Sequence, residues 1–78
     1  MNITVDTPHA LGQAARTARK RLGLTQSQLA LAAGVGVRFI VDMEAGKPTI
    51  RLESTLRVLH ALGAKLNVDG LPSNDREL

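Results

Sequence analysis

Glycine punctuates this chain at positions 23, 34, 46 and 63, and each one falls where a helical stripe of apolar residues runs out. That spacing allows only short helices joined by tight turns. Ahead of the first glycine, Thr7-Pro8 reads as an N-cap followed by proline at the first helical position. Leu11, Ala15, Ala18 and Leu22 then recur at helical spacing, while Arg16, Lys20 and Arg21 fall off that stripe and are expected in solvent. Thr25, with Gln28 three positions on, forms a capping box. The helix it starts turns Leu29, Ala30 and Ala33 inward and stops at Gly34. Gly36 opens a third helix over 37–45, with Ile40 and Met43 inward and Gly46 at its C′ position. After a turn at Lys47-Pro48-Thr49, Leu52, Leu56, Leu59 and Leu62, widened by Val58, predict a fourth helix ended by Gly63.

Past Gly63 the period changes from 3.6 to two. Residues 64–69 alternate in polarity and predict a strand, which Gly70 and Pro72 stop. The expected organisation is an N-terminal arm over 1–6, a helical domain over 7–69 and a flexible acidic tail over 70–78. The fold class is all-α with a short C-terminal β-strand. Within its own chain that strand finds no partner except Ile3 to Val5, another short β-prone piece. Pairing Lys65, Leu66, Asn67 and Val68 with the same residues of a second copy would satisfy the exposed backbone, which predicts a homodimer.

Composition removes several function classes. With no cysteine, disulfides and cysteine-based zinc sites are excluded; His9 and His60 stand alone, so no metal site is expected. No cofactor is expected either. No apolar run approaches the ~20 residues that span a bilayer, and the N-terminus lacks a signal peptide's basic start and apolar stretch. A cytoplasmic protein without membrane contact is the expectation. The chain shows no paired carboxylates, no nucleophile beside a base and no phosphate-cradling glycine loop, which argues against an enzyme. Phe39 is the sole aromatic, so the core is built from small and branched aliphatics, with Phe39 packing at a helix edge.

Charge points toward a polyanion. Between Arg16 and Arg57 there are eight Lys/Arg against Asp42, Glu44 and Glu53, whereas from Asp69 onward three acids face only Arg76. A basic body gains affinity by releasing counterions from phosphates. The segment 25–44 gives that charge a scaffold. One helix ends at Gly34 and another starts near Val37, with small Ala30 permitting close approach and Leu29, Val35, Ile40 and Met43 setting the angle: a helix–turn–helix.

Leu22-Gly23-Leu24-Thr25-Gln26-Ser27-Gln28-Leu29-Ala30 and Gly46-Lys47-Pro48-Thr49 resemble the XRE group of lambda-repressor/Cro-like helix-turn-helix proteins, over roughly residues 11–62. The resemblance implies a lambda-repressor-like domain of four to five helices that binds double-stranded operator DNA. The short length, the 51–63 stretch and the strand after it look like HipB-type antitoxins. Such proteins are homodimers that repress their own operon and bind a HipA-type kinase toxin. An ordinary XRE-type repressor without a toxin shares the same core. A protein-interaction module without DNA is the remaining alternative, since fold alone does not settle function and Val37 and Val41 are apolar.

Carried over by position, the third helix enters the major groove. Gly36 lies at its N-terminal end, and Val37, Arg38, Val41 and Asp42 face outward. Arg38 suits guanine O6 and N7, Asp42 suits cytosine N4, and the two valines suit a thymine methyl. The resemblance also implies that Gln26 bonds a phosphate, where the helix N-terminus favours an anion. Ser27, Lys47 and Arg16 are further phosphate candidates. Arg19 and Glu44 match a pair that in many members braces the first helix against the third, and are expected to be structural.

Overall fold

The structure, a computed structural model, describes residues 2–72 and contains four helices among them: α1 (Pro8–Arg21), α2 (Gln26–Ala33), α3 (Val37–Glu44) and α4 (Leu52–Ala61). At α1 and α2 a threonine side chain caps a first-turn amide, whereas α3 and α4 start without a side-chain cap. The Thr7 hydroxyl accepts from the Ala10 amide at 3.0 Å, with Pro8 at the first helical position. At α2 the capping box is complete: the Thr25 hydroxyl accepts from the Gln28 amide at 3.0 Å, and Gln28 Oε1 accepts from the Thr25 amide at 2.8 Å.

The glycines end the helices as their spacing requires. Gly34 takes φ +72° at the end of α2, and Gly46 takes φ +84° after α3. These left-handed values cost a glycine nothing sterically. At α3 the result is a Schellman closure, in which the Gly46 amide donates to Met43 O and the Lys47 amide to Asp42 O, both at 3.0 Å.

The layers follow from which faces are apolar. α2 packs against both α3 and α4, and α1 packs against α3. Leu29, Ile40, Met43 and Val58 are fully buried, with Ala15, Ala30, Ala33 and Leu59 around them. Phe39 is only partly buried, packed on the edge of that core.

Two helix faces differ from the simple leucine stripes. In α1 the buried positions are Gly12, Ala15 and Arg19, while Leu22 is 55% exposed as the C-cap residue. Gly12 is there because α3 comes too close for any side chain: a Cβ would sit 2.3 Å from Met43 O. In α4 the buried positions are Thr55, Val58 and Leu59, and Leu52 is 64% exposed at the first position of the helix. Thr55 tolerates burial because its hydroxyl donates to Arg51 O at 2.8 Å, so no polar atom is left unpaired.

Residues 64–69 form no strand here; they are exposed, and no ladder exists among the described residues. A strand is defined by its pairing, and Ile3 to Val5, equally exposed, does not supply it. The expectation for Met1 and for 73–78 of the tail lies outside the described residues.

Candidate nucleic-acid interface

The start of α3 presents the outward residues read from the sequence. Gly36 is its N-cap, with no side-chain cap, and Val37 is 45% exposed. The Arg38 side chain is 82% exposed, whereas Val41 and Asp42 one turn later are half-buried. Asp42 lies between two cations. Its Oδ1 lies 3.2 Å from Arg38 Nε, and its Oδ2 lies 3.6 Å from Lys47 Nζ.

Beside α3 a shallow open groove of about 430 Å³ runs between α1 and the start of α2. Arg16, Lys20, Gln26 and Val41 line it, with the Arg19–Glu44 pair at its floor. Arg16 and Ser27 are exposed. Among the described residues the amides of Gln26 and Ser27 have no hydrogen-bond partner, as expected for the first turn of a helix. Open amides and adjacent cations together favour an anion. Lys20 is exposed, as its place off the apolar stripe predicts, and at i,i+4 from Arg16 it shares this open groove.

Arg19 and Glu44 meet in the interior. Arg19 Nε donates to Glu44 Oε2 at 2.6 Å and Nη2 to Oε1 at 3.0 Å, a two-pronged pair about nine-tenths buried on each side. Arg19 Nη1 also donates to Leu24 O at 2.8 Å, which ties the α1–α2 turn to the pair. Gln26 Nε2 donates to Glu44 Oε1 at 3.2 Å, a contact that no sequence spacing indicates. Burial pushes the Glu44 carboxyl up, but the hydrogen bonds of Arg19 and Gln26 and the charges of Arg19 and Arg16 outweigh it, leaving Glu44 below its ordinary range. The hydrogen bond to Glu44 in turn raises Arg19, against the effect of burial. Gln26 is thus steered by α3, and the groove's cations sit over a pair that is already neutralised.

Comparison with known proteins agrees with this arrangement. Residues 16–68 match the helix-turn-helix family HTH_3. The uncharacterized HTH-type transcriptional regulator y4mF of Sinorhizobium fredii (strain NBRC 101917 / NGR234) is 47% identical over 64 residues, 82% of this chain and 84% of that one. Among solved structures, a HipB-O4 20mer complex shares the fold with TM-score 0.81 at 22% identity, covering 91% of this chain and 100% of that one. A toxin-antitoxin module from Streptococcus pneumoniae matches with TM-score 0.70 at 34% identity, over 83% of this chain and 71% of that one. The clp gene regulator ClgR from C. glutamicum matches with TM-score 0.69 at 32% identity, over 85% of each chain. This chain belongs to the XRE-type helix-turn-helix family of DNA-binding transcriptional regulators, and its four-helix fold is that of HipB.

Proposed function

We propose that the chain is a homodimeric repressor of its own operon and the antitoxin of a HipBA-type pair, binding a HipA-type kinase toxin in the cytoplasm. The observation that carries the DNA-binding geometry is the Arg38 side chain, 82% exposed at the head of α3, beside a groove lined by Arg16, Lys20 and Gln26. In this reading α3 lies in the major groove and Arg38 reads a guanine, with Val37 and Val41 against thymine methyls and Gly36 allowing close approach. Gln26, Ser27, Arg16 and Lys47 hold phosphates. Support for the antitoxin role comes from the likeness to the pneumococcal toxin-antitoxin module, and from a HipA-HipB-O2-O3 complex that shares the fold at TM-score 0.81 and 22% identity. No helix among the described residues is long and apolar enough to cross a membrane.

Affinity for a duplex carrying the chain's own promoter should fall by about a hundredfold between about 50 and 200 mM salt, because Arg16 and Lys47 of two subunits neutralise about four phosphates. Arg38→Ala should lose sequence preference, and Gln26→Ala should weaken all sequences alike. No binding at low salt would overturn the reading. The likeness to ClgR favours a second reading, a regulator without a toxin. Co-purification with the product of the adjacent reading frame separates the two: a stable complex with a kinase-like protein supports the antitoxin, and its absence supports the plain regulator.

A further inference from the structure

We propose that Asp42 does not read a base but is the positioning residue that holds the Arg38 guanidinium for base recognition, with Lys47 completing the brace. This rests on the DNA-binding reading above and deepens it. Three observations on one surface carry it. First, each oxygen of the Asp42 carboxylate lies near a cation: Oδ1 is 3.2 Å from Arg38 Nε, and Oδ2 is 3.6 Å from Lys47 Nζ. Second, the Asp42 side chain is 22% exposed against 82% for Arg38, so the acid lies at the base of the arginine and not beside it. Third, the Lys47 amide closes on Asp42 O at 3.0 Å through the left-handed Gly46, which fixes the backbone from which the half-exposed Lys47 side chain reaches Asp42 and stays open to a phosphate.

The chemistry follows from which nitrogen is engaged. A guanidinium has five N–H donors in a rigid fork. Asp42 lies closest to Nε, at the stem of the fork, so the two terminal nitrogens stay available for the O6 and N7 acceptors of one guanine. An isolated arginine at the head of a helix would spread over many rotamers and pair with any nearby phosphate. A carboxylate one helical turn behind it restricts that freedom and repels phosphate from the same spot. Asp42 therefore favours base over backbone. A carboxylate shared between two cations and only 22% exposed is poorly placed to reach cytosine N4.

The test is selection of bound duplexes from a randomised library by wild type, Asp42→Ala, Asp42→Asn, Asp42→Glu, Arg38→Ala and the Arg38→Ala/Asp42→Ala double variant. Thermal unfolding of each variant is followed in parallel. Wild type should fix a guanine in each half-site. Asp42→Ala and Asp42→Asn should lose about tenfold of the preference at that one position, within the range a bidentate arginine–guanine contact provides. Their unfolding should match wild type, and their non-specific affinity at low salt should rise. Asp42→Glu should retain part of the preference, and the double variant should be no less selective than Arg38→Ala alone. If Asp42→Ala and Arg38→Ala flatten different positions, Asp42 is a base reader and the proposal is overturned. Unchanged selectivity in Asp42→Ala overturns it equally. Failure of wild type to bind any duplex overturns the DNA-binding reading, and this proposal with it.

Discussion

The Arg19–Glu44 pair holds α1 against α3 and, through Gln26, engages the start of α2. It joins α1 to α3 across 25 residues of sequence, and Leu24 O and Gln26 Nε2 complete its hydrogen bonds. Removing one partner leaves a buried charge uncompensated. Arg19→Ala should therefore cost about 3–5 kcal/mol, a large share of what so small a domain has. Replacing both, as in Arg19→Met/Glu44→Leu, should cost less than the single change, because no lone charge remains. Denaturant titrations of the three variants check this ordering. The acid limb has a defined sign: Glu44 is lower folded than unfolded. Its contribution is complete above the ordinary glutamate value of about 4.3 and is lost as pH falls through the lower folded value. Glu44→Gln should flatten that limb in a melting-temperature profile against pH.

At the scale of elements, the two contacts that set α2 and α3 are of different kinds. α2 is only eight residues long, too short to hold itself in isolation, so its N-terminal chemistry matters more than its propensity. Thr25→Ala removes the cap on the Gln28 amide and should cost about 1 kcal/mol, seen as a melting temperature lower by roughly 4–8 °C. The α1–α3 contact instead depends on the absence of a side chain. Gly12→Ala improves helix propensity by about 1 kcal/mol, yet its Cβ would fall 2.3 Å from Met43 O and 3.0 Å from Glu44 O. That overlap is with backbone and cannot be relieved by a rotamer, so overpacking of about 1–3 kcal/mol or more should win. A variant more stable than wild type by calorimetry would show that the two helices can separate without penalty.

For the whole molecule the open matter is what covers the apolar side chains left in solvent. Leu52, Leu66 and Val68 are 64%, 49% and 66% exposed. In the homodimer reading, residues 64–69 pair with their copies and place two recognition helices about 34 Å apart on one side of the DNA. Leu66→Lys/Val68→Lys should then give a monomer by light scattering at micromolar concentration, with the helical circular dichroism retained. Its operator affinity should fall, because each half-site would be bound alone. A wild-type chain that is already monomeric would overturn the dimer.

The caps, the glycine stops and the inward residues of α2 and α3 were legible from sequence alone. They depend on contacts within three or four residues or on a single helical period. Of the residues read as facing outward, Val37 and Arg38 are exposed, since a helix converts spacing into direction, whereas Val41 and Asp42 are half-buried. Tertiary structure decided the rest. Gly12 is buried because α3 lies against it, and Thr55 because its hydroxyl meets Arg51 O, neither of which the apolar stripes indicate. Gln26 is held by Glu44 of α3. Asp42 lies between Arg38 and Lys47, the second brought round by the turn at Gly46, a placement that no spacing along the helix indicates. No strand forms over 64–69, because no described segment of the chain pairs with it. Sequence determined which helices form and which way they face. Only packing determined what each face touches, because long-range contacts carry no period along the chain.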